Sequence, residues 1–261
     1  MPYRLVCLDA GFTLLSPRRT LADALRGVLE ERGHPVEPEE VRRAWEVADR
    51  WFWDEYHRPD NRTWGDDQAI EQTWRDYHSL MLTELGYADR AHELLDAILS
   101  SQFAADAWEA YPDAEPALAR LRSLPGVSIG VISDWGSNLE GILSGLGLDR
   151  YLDFTMASGA VGLAKPDPAL FRLALSHAGV PPAEAIMVGD SLRADVQGAE
   201  GAGMRGILLA RPPDDADEHG QPAAEVPPDT WVIESLGELP EIVAGTKGPR
   251  ADHRQATGDV A

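Results

Sequence analysis

Short apolar runs that end on a polar side chain recur along this chain, most of them separated by helix-length segments. The first, Tyr3 to Asp9 (YRLVCLD), ends on an acid. Val127 to Ser133 (VSIGVIS) ends on a hydroxyl, and the short run Phe154 to Ser158 follows. Ala185 to Asp190 (AIMVGD) ends on a second acid, and Arg205 to Ala210 closes the series. Continuous hydrophobicity suits strands buried on both faces. Strands joined by helix-length connections imply right-handed crossovers and a parallel sheet covered by helices on both sides. The pattern predicts a Rossmann-like α/β fold, whose ligands belong beyond the carboxyl ends of the strands.

One long stretch breaks this alternation. Between Ser16 and Trp108 nothing alternates like a strand. Apolar residues keep helical spacing instead: Leu21, Leu25, Val28 and Leu29; then Val41, Trp45, Ala48 and Phe52 after Pro38; then Ile70, Trp74, Tyr77 and Met81. A further helix is expected from Arg90 to Phe103. The chain thus divides into an α/β core over residues 1–15 and 112–243, interrupted by an all-helical cap over 16–111. Core helices are expected at Asp113–Leu124, Ser137–Leu146, Pro168–Ala178 and Leu192–Ala202, with a last strand and helix in Trp231–Val243. The acidic, Pro-rich stretch Arg211 to Thr230 reads as a loop or lid-like excursion. The polar tail 244–261 is expected to be disordered.

Composition narrows the function. A formal net charge of -21 argues against nucleic acid and against anionic membrane surfaces. It leaves room for a small phosphorylated substrate, because a site built around a divalent cation is locally positive. No apolar run approaches the ~20 residues of a membrane span, and Met1 to Leu15 lacks a signal-peptide layout. The single cysteine, Cys7, allows neither an intrachain disulfide nor a cysteine-based zinc site. A cytoplasmic location is the expectation. Lysine occurs only at 165 and 247 while arginine carries the remaining positive charge, so a lysine kept in mid-chain calls for a chemical reason.

The expected strand ends gather that chemistry. Asp9 is followed by Ala10-Gly11-Phe12-Thr13, the next end carries Ser133-Asp134, and a loop brings Lys165-Pro166-Asp167. The fourth carries Gly189-Asp190-Ser191, with Asp195 in the helix beyond. Acids, a hydroxyl and a lysine on one sheet edge are the inventory for phosphoryl transfer: a nucleophile, a hard-cation site and neutralisers of phosphate oxygens.

The order D-x-x-x-T, S-D, K-P-D-P and G-D-S-x-x-x-D resembles the four motifs of the haloacid dehalogenase superfamily, over Tyr3 to about Ala210. The helical insert falls where many members carry a cap, and Val131 to Met204 looks most like the phosphatase-like branch. The resemblance implies that Asp9 attacks phosphorus and becomes an aspartyl phosphate, later hydrolysed by water. It implies that Thr13, Ser133, the backbone N–H of Asp134 and Lys165 hold the phosphate, with Lys165 also paired to Asp9. It implies a Mg²⁺ site made by Asp9, Asp190, Asp195 and the backbone carbonyl of Gly11.

One departure matters. Phosphatases of this superfamily usually carry a second aspartate two residues after the nucleophile, which protonates the leaving oxygen and activates the hydrolytic water. Gly11 stands there, Phe12 stands where glycine is usual, and no other residue offers itself as a substitute. Three readings follow: a Mg²⁺-dependent phosphatase, which would then favour esters with stable leaving groups; a metal-independent dehalogenase or other carbon-centred hydrolase; or a binding or regulatory protein that turns over little. Asp190 and Asp195 fit the metal-dependent version, since a dehalogenase has no use for another carboxylate beside its nucleophile. His34, His57, His78, His92 and His177 read as surface or partly buried residues, and no set of them has zinc spacing. Trp45, Trp51, Trp53, Trp64 and Trp74 read mostly as cap core, with one or two free to face the cleft and stack on a ring-bearing substrate.

Overall fold

The central strand β1 (Leu5–Leu8) is wholly buried, and its alternate side chains supply two separate cores. Val6 and Leu8 point into one, Leu5 and Cys7 into the other. The strand at each side of it, β4 (Ser128–Ser133) and β6 (Ala185–Gly189), divides its residues the same way: Ile129, Val131, Ile186 and Val188 on the first face, Ile132, Ala185 and Met187 on the second. That is the period-two geometry of a strand serving two layers. Burial pushes the Cys7 thiol up, so it serves as a small hydrophobe.

A computed structural model describes residues 2–58, 63–211, 226–246, 248 and 250–251. Around these strands the sheet runs β5 (Phe154–Ala157), β4, β1, β6, β7 (Arg205–Leu209), β8 (Trp231–Ile233) and β9 (Arg250–Ala251). All neighbours are parallel except β9, which pairs antiparallel with β8. The tail expectation is corrected there: Arg250 and Ala251 extend the sheet edge. Residues 252–261, and 212–225 of the expected loop, lie outside the described residues.

Helices α5 (Ala114–Arg122), α6 (Leu139–Gly145) and α10 (Leu239–Ala244) cover the first face. Helices α8 (Pro168–Ala178) and α9 (Gly198–Gly201) cover the second through Leu170, Phe171, Ala174 and Ala199. A short turn of helix at Ser158–Val161, α7, follows β5. The helix expected at Leu192–Ala202 is split: Leu192–Gln197 forms a wide π-turn before α9. Gly130 is needed where β4 meets β5, since a β-carbon there would lie 2.1 Å from the Phe154 ring.

Four helices form the insert: α1 (Leu21–Glu31), α2 (Pro38–Tyr56), α3 (Asp67–Glu84) and α4 (Ala91–Gln102). They bury Leu25, Leu29, Ala48, Tyr77, Met81 and Ile98 in a third core. Thr20 and Asp66 cap α1 and α3 by accepting the amides of Asp23 and Ala69, the ordinary N-cap arrangement. Two strands too short to show alternation join the insert to the sheet domain: β2 (Leu15–Pro17) pairs antiparallel with β3 (Trp108–Ala110). The insert is therefore helical with a two-stranded ribbon at its base. His78 is not a surface residue: it is 1% exposed, with Nε2 at 2.6 Å from Gln102 Oε1. Among the described residues no helix is long and apolar enough to cross a membrane.

Candidate active site

Asp9 leaves the end of β1 with its amide donating to the Val188 carbonyl at 2.9 Å, which fixes the strand end against β6. The chain then turns tightly: the amides of Leu14 and Leu15 both donate to the Ala10 carbonyl. Phe12 holds φ at 54°, the left-handed conformation that favours glycine. Strain of this kind collects at functional turns.

Lys165 reaches across to Asp9 from the loop after α7. Its Nζ donates to Asp9 Oδ1 at 2.8 Å and to Asp195 Oδ1 at 2.7 Å. Asp195 is 0% exposed, and its other oxygen accepts the Ser191 amide at 3.0 Å. Gly189 makes that seat possible, because a β-carbon there would lie 2.1 Å from Asp195 Oδ2. The π-turn that follows, of a kind often found at functional sites, carries Asp195 inward. Burial alone would push the Lys165 ammonium down. Asp195, Asp9 and Asp134 overcome it and hold the group well above its ordinary value.

Asp190 follows β6 and faces the same space. One oxygen each from Asp9, Asp190 and Asp195 lie within 4.8 Å of one another. Burial, then the charges of Asp9 and Asp195, drive the Asp190 carboxyl well above the usual carboxylate range, with Lys165 opposing. Burial also raises Asp195 to about 6, again against Lys165. Three carboxylates with one lysine are an electrostatic deficit, and hard oxygen donors in that number suit a divalent cation such as Mg²⁺. Asp195 already has both oxygens engaged, so Asp9 and Asp190 are the better placed direct ligands.

Thr13 stands elsewhere than expected. It is fully buried behind Asp190, towards which its hydroxyl points at 3.4 Å, and it is not among the residues lining the cavity. The structure thus places Thr13 behind Asp190 and off the cavity wall. Ser133, at the end of β4, does line the cavity beside Asp9, Gly11, Lys165 and Asp190. Asp134 presents more than its backbone. Its Oδ1 accepts the Lys165 amide at 2.9 Å, and its Oδ2 accepts the Tyr56 hydroxyl at 3.2 Å. Tyr56 ends α2, so this hydrogen bond joins the insert to the sheet domain over the site. A second tie runs from the Ser137 amide to Asp67 Oδ1 at 2.9 Å.

The cavity holds about 500 Å³. Its wall on the insert side is aromatic, including Phe52, Trp53, Tyr56, Trp64 and Trp74, and Trp108 and Trp135 continue it on the sheet side. Phe52 stacks on Trp74 with ring centres 5.1 Å apart, and Trp108 meets Trp135 edge-on at 4.6 Å. Trp45 and Trp51 instead pack against the insert core. Sequence reasoning missed Tyr56 and Trp135. Trp135 had a signal, since it directly follows the Ser133-Asp134 strand end; Tyr56 had none beyond its place at a helix end.

Comparison with known proteins places this geometry in context. The family described as haloacid dehalogenase-like hydrolase matches residues 3–203. Haloacid dehalogenase-like hydrolase domain-containing protein 3 of Mus musculus is 33% identical over 209 residues, 79% of this chain and 82% of the mouse protein. Phosphoserine phosphatase of Thermus thermophilus is 39% identical over 127 residues, 48% of this chain and 49% of that one. The crystal structure of 2-haloacid dehalogenase from Pseudomonas syringae superposes with a TM-score of 0.61 at 28% identity, covering 93% of this chain and 99% of that one.

Proposed function

This chain belongs to the haloacid dehalogenase-like hydrolases, and on that premise we propose that it is a Mg²⁺-dependent phosphatase of a small phosphorylated molecule. One observation carries the reading: the carboxylate cluster of Asp9, Asp190 and Asp195 against a single Lys165. A bound divalent cation would offset the excess negative charge and draw electron density from a phosphate oxygen.

The chain's own residues do the rest. Lys165 holds Asp9 in place through its Oδ1, so that a carboxylate oxygen attacks phosphorus as the ester O–P bond breaks. Ser133 donates its hydroxyl to a phosphoryl oxygen, and Lys165 neutralises charge that grows there. Water then attacks the phosphorus of the aspartyl phosphate, phosphate leaves, and Asp9 is restored. The aromatic insert wall lines the cavity beside this site and supports a ring-bearing group as the part of the substrate remote from phosphorus.

The test is phosphate release from a panel of phosphate monoesters with Mg²⁺ and with EDTA, using Asp9→Asn as the control. Release that needs Mg²⁺ and vanishes in Asp9→Asn is expected. Two observations favour a second reading as dehalogenase, the apolar cavity wall and the absent acid at Gly11. Halide release from 2-haloacids without added metal, and no phosphate release, would establish that reading instead.

A further inference from the structure

We propose that Asp134 supplies the proton transfer that position 11 lacks, protonating the departing ester oxygen and then accepting a proton from the attacking water. This rests on the phosphatase reading.

An acid at position 11 would crowd Trp135 as the site is built. A β-carbon on Gly11 would lie 3.3 Å from Cζ3 of Trp135, so the indole must shift before a side chain fits there. Trp135 adjoins Asp134 in sequence, so the turn that closes one position presents another acid to the same cavity. Asp49 of α2 also lines the cavity, but several other competitors on its wall are poorly suited. Asp9, Asp190 and Lys165 are committed to the nucleophile and the cation site. Arginines do not release protons at neutral pH. Asp106 is exposed, and burial followed by the charge of Asp134 drives the Tyr56 hydroxyl well above its ordinary value.

Asp134 is held in a manner that suits the task. Oδ1 is fixed by the amide of Lys165, the residue whose ammonium grips Asp9. The transferable proton then belongs on Oδ2, at the Tyr56 hydroxyl, a group that both donates and accepts. Burial raises this carboxyl to about 7, opposed by the charge and amide of Lys165 and reinforced by Asp9 and Asp195. A general acid works best with a pKa near the operating pH.

One group can serve both steps, because in-line displacement puts the leaving oxygen and later the attacking water on the same side, opposite Asp9. First, the Asp9–phosphorus bond forms, the ester O–P bond breaks, and the proton on Asp134 goes to the leaving oxygen. Second, water gives a proton to Asp134 as its oxygen bonds to phosphorus, and the electron pair of the Asp9–phosphorus bond returns to Asp9. Asp134 ends protonated, as it began. Tyr56 is a positioning residue in this scheme.

The experiment compares kcat/KM for nitrophenyl, phenyl and alkyl phosphates with Mg²⁺ in wild type and Asp134→Asn. For wild type a shallow dependence on leaving-group pKa is expected. In Asp134→Asn the alkyl and phenyl esters should fall by ~10²–10⁴-fold while nitrophenyl phosphate changes little. A uniform loss across the series would mean a structural role and overturn the proposal. A steep wild-type dependence overturns it without any variant, which covers the case where Asp134→Asn fails to fold. Absence of phosphate release from every ester in wild type is the distinct result that brings down the phosphatase reading itself.

Discussion

Lys165 Nζ donates to Asp195 Oδ1 at 2.7 Å, with the two side chains 3% and 0% exposed. The pair also anchors Asp9, so one ammonium holds two buried carboxylates that would otherwise repel each other. A buried pair of this sort adds little net stability, but removing one partner leaves an uncompensated charge. Lys165→Met should therefore destabilise the fold by about 3–5 kcal/mol, measured by urea unfolding. The loss should be smaller with Mg²⁺ than with EDTA. Equal stability of wild type and variant in EDTA would show that the carboxylates do not depend on the lysine.

A second prediction concerns the cation. Anything that binds only the native state stabilises it by RT ln(1 + [L]/Kd), about 2.7 kcal/mol at a hundredfold excess over Kd. Saturating Mg²⁺ should raise the Tm of wild type and leave that of Asp190→Asn nearly unchanged. Asp195→Asn should retain more of the effect, since Asp195 is already held by Lys165 and the Ser191 amide. An undiminished Mg²⁺ shift in Asp190→Asn would place the cation elsewhere.

The legibility of these features in the sequence tracks their range. β1, β4 and β6 are apolar on both faces, so composition alone marks them, and the residues at their ends fall on one sheet edge by topology. Asp9, Ser133 and Asp190 were readable for that reason, whereas Lys165, on the loop between α7 and α8, stood out by the rarity of lysine. For Thr13 the motif gives the residue but not which way its hydroxyl points; here it turns inward to Asp190. The β2–β3 ribbon was invisible because two three-residue strands pair across the whole insert, with no local period to read. The Tyr56–Asp134 contact is a long-range docking of α2 on the sheet domain, set by packing rather than by either segment's own sequence.

His78 gives a pH prediction. Burial lowers its imidazole to about 4 against an ordinary 6.5, although the hydrogen bond to Gln102 opposes the shift. The folded state thus binds fewer protons than the unfolded state between those two values. Stability is complete above about pH 6.5, declines as pH falls towards 4, and is flat below for this group. The difference is roughly 3 kcal/mol at 1.36 kcal/mol per pKa unit. In His78→Asn the loss of stability between pH 6.5 and 4 should be smaller by about that amount, read from urea midpoints across pH. A pH dependence identical to wild type would mean that His78 is charged in the folded protein.

The last prediction returns to Gly11. If the missing acid were only a matter of residue identity, Gly11→Asp would restore the usual arrangement and speed the hydrolysis of alkyl phosphates. The geometry argues for the opposite outcome. The β-carbon alone meets Trp135 at 3.3 Å, a contact tight enough that the indole must give way. Trp135 is braced on one side by Trp108, whose ring lies edge-on at 4.6 Å. Overpacking of this kind costs about 1–3 kcal/mol, and a further carboxylate beside Asp9 and Asp190 adds repulsion where charge is already in excess. Gly11→Asp should therefore be less stable than wild type and no faster on alkyl esters. Combining it with Trp135→Ala makes room, and the double variant should recover stability relative to Gly11→Asp. Thermal unfolding and kcat/KM on an alkyl phosphate, measured for the three variants and wild type, decide the matter. A faster Gly11→Asp single variant would show that the indole moves aside and that the acid is limiting in the natural site.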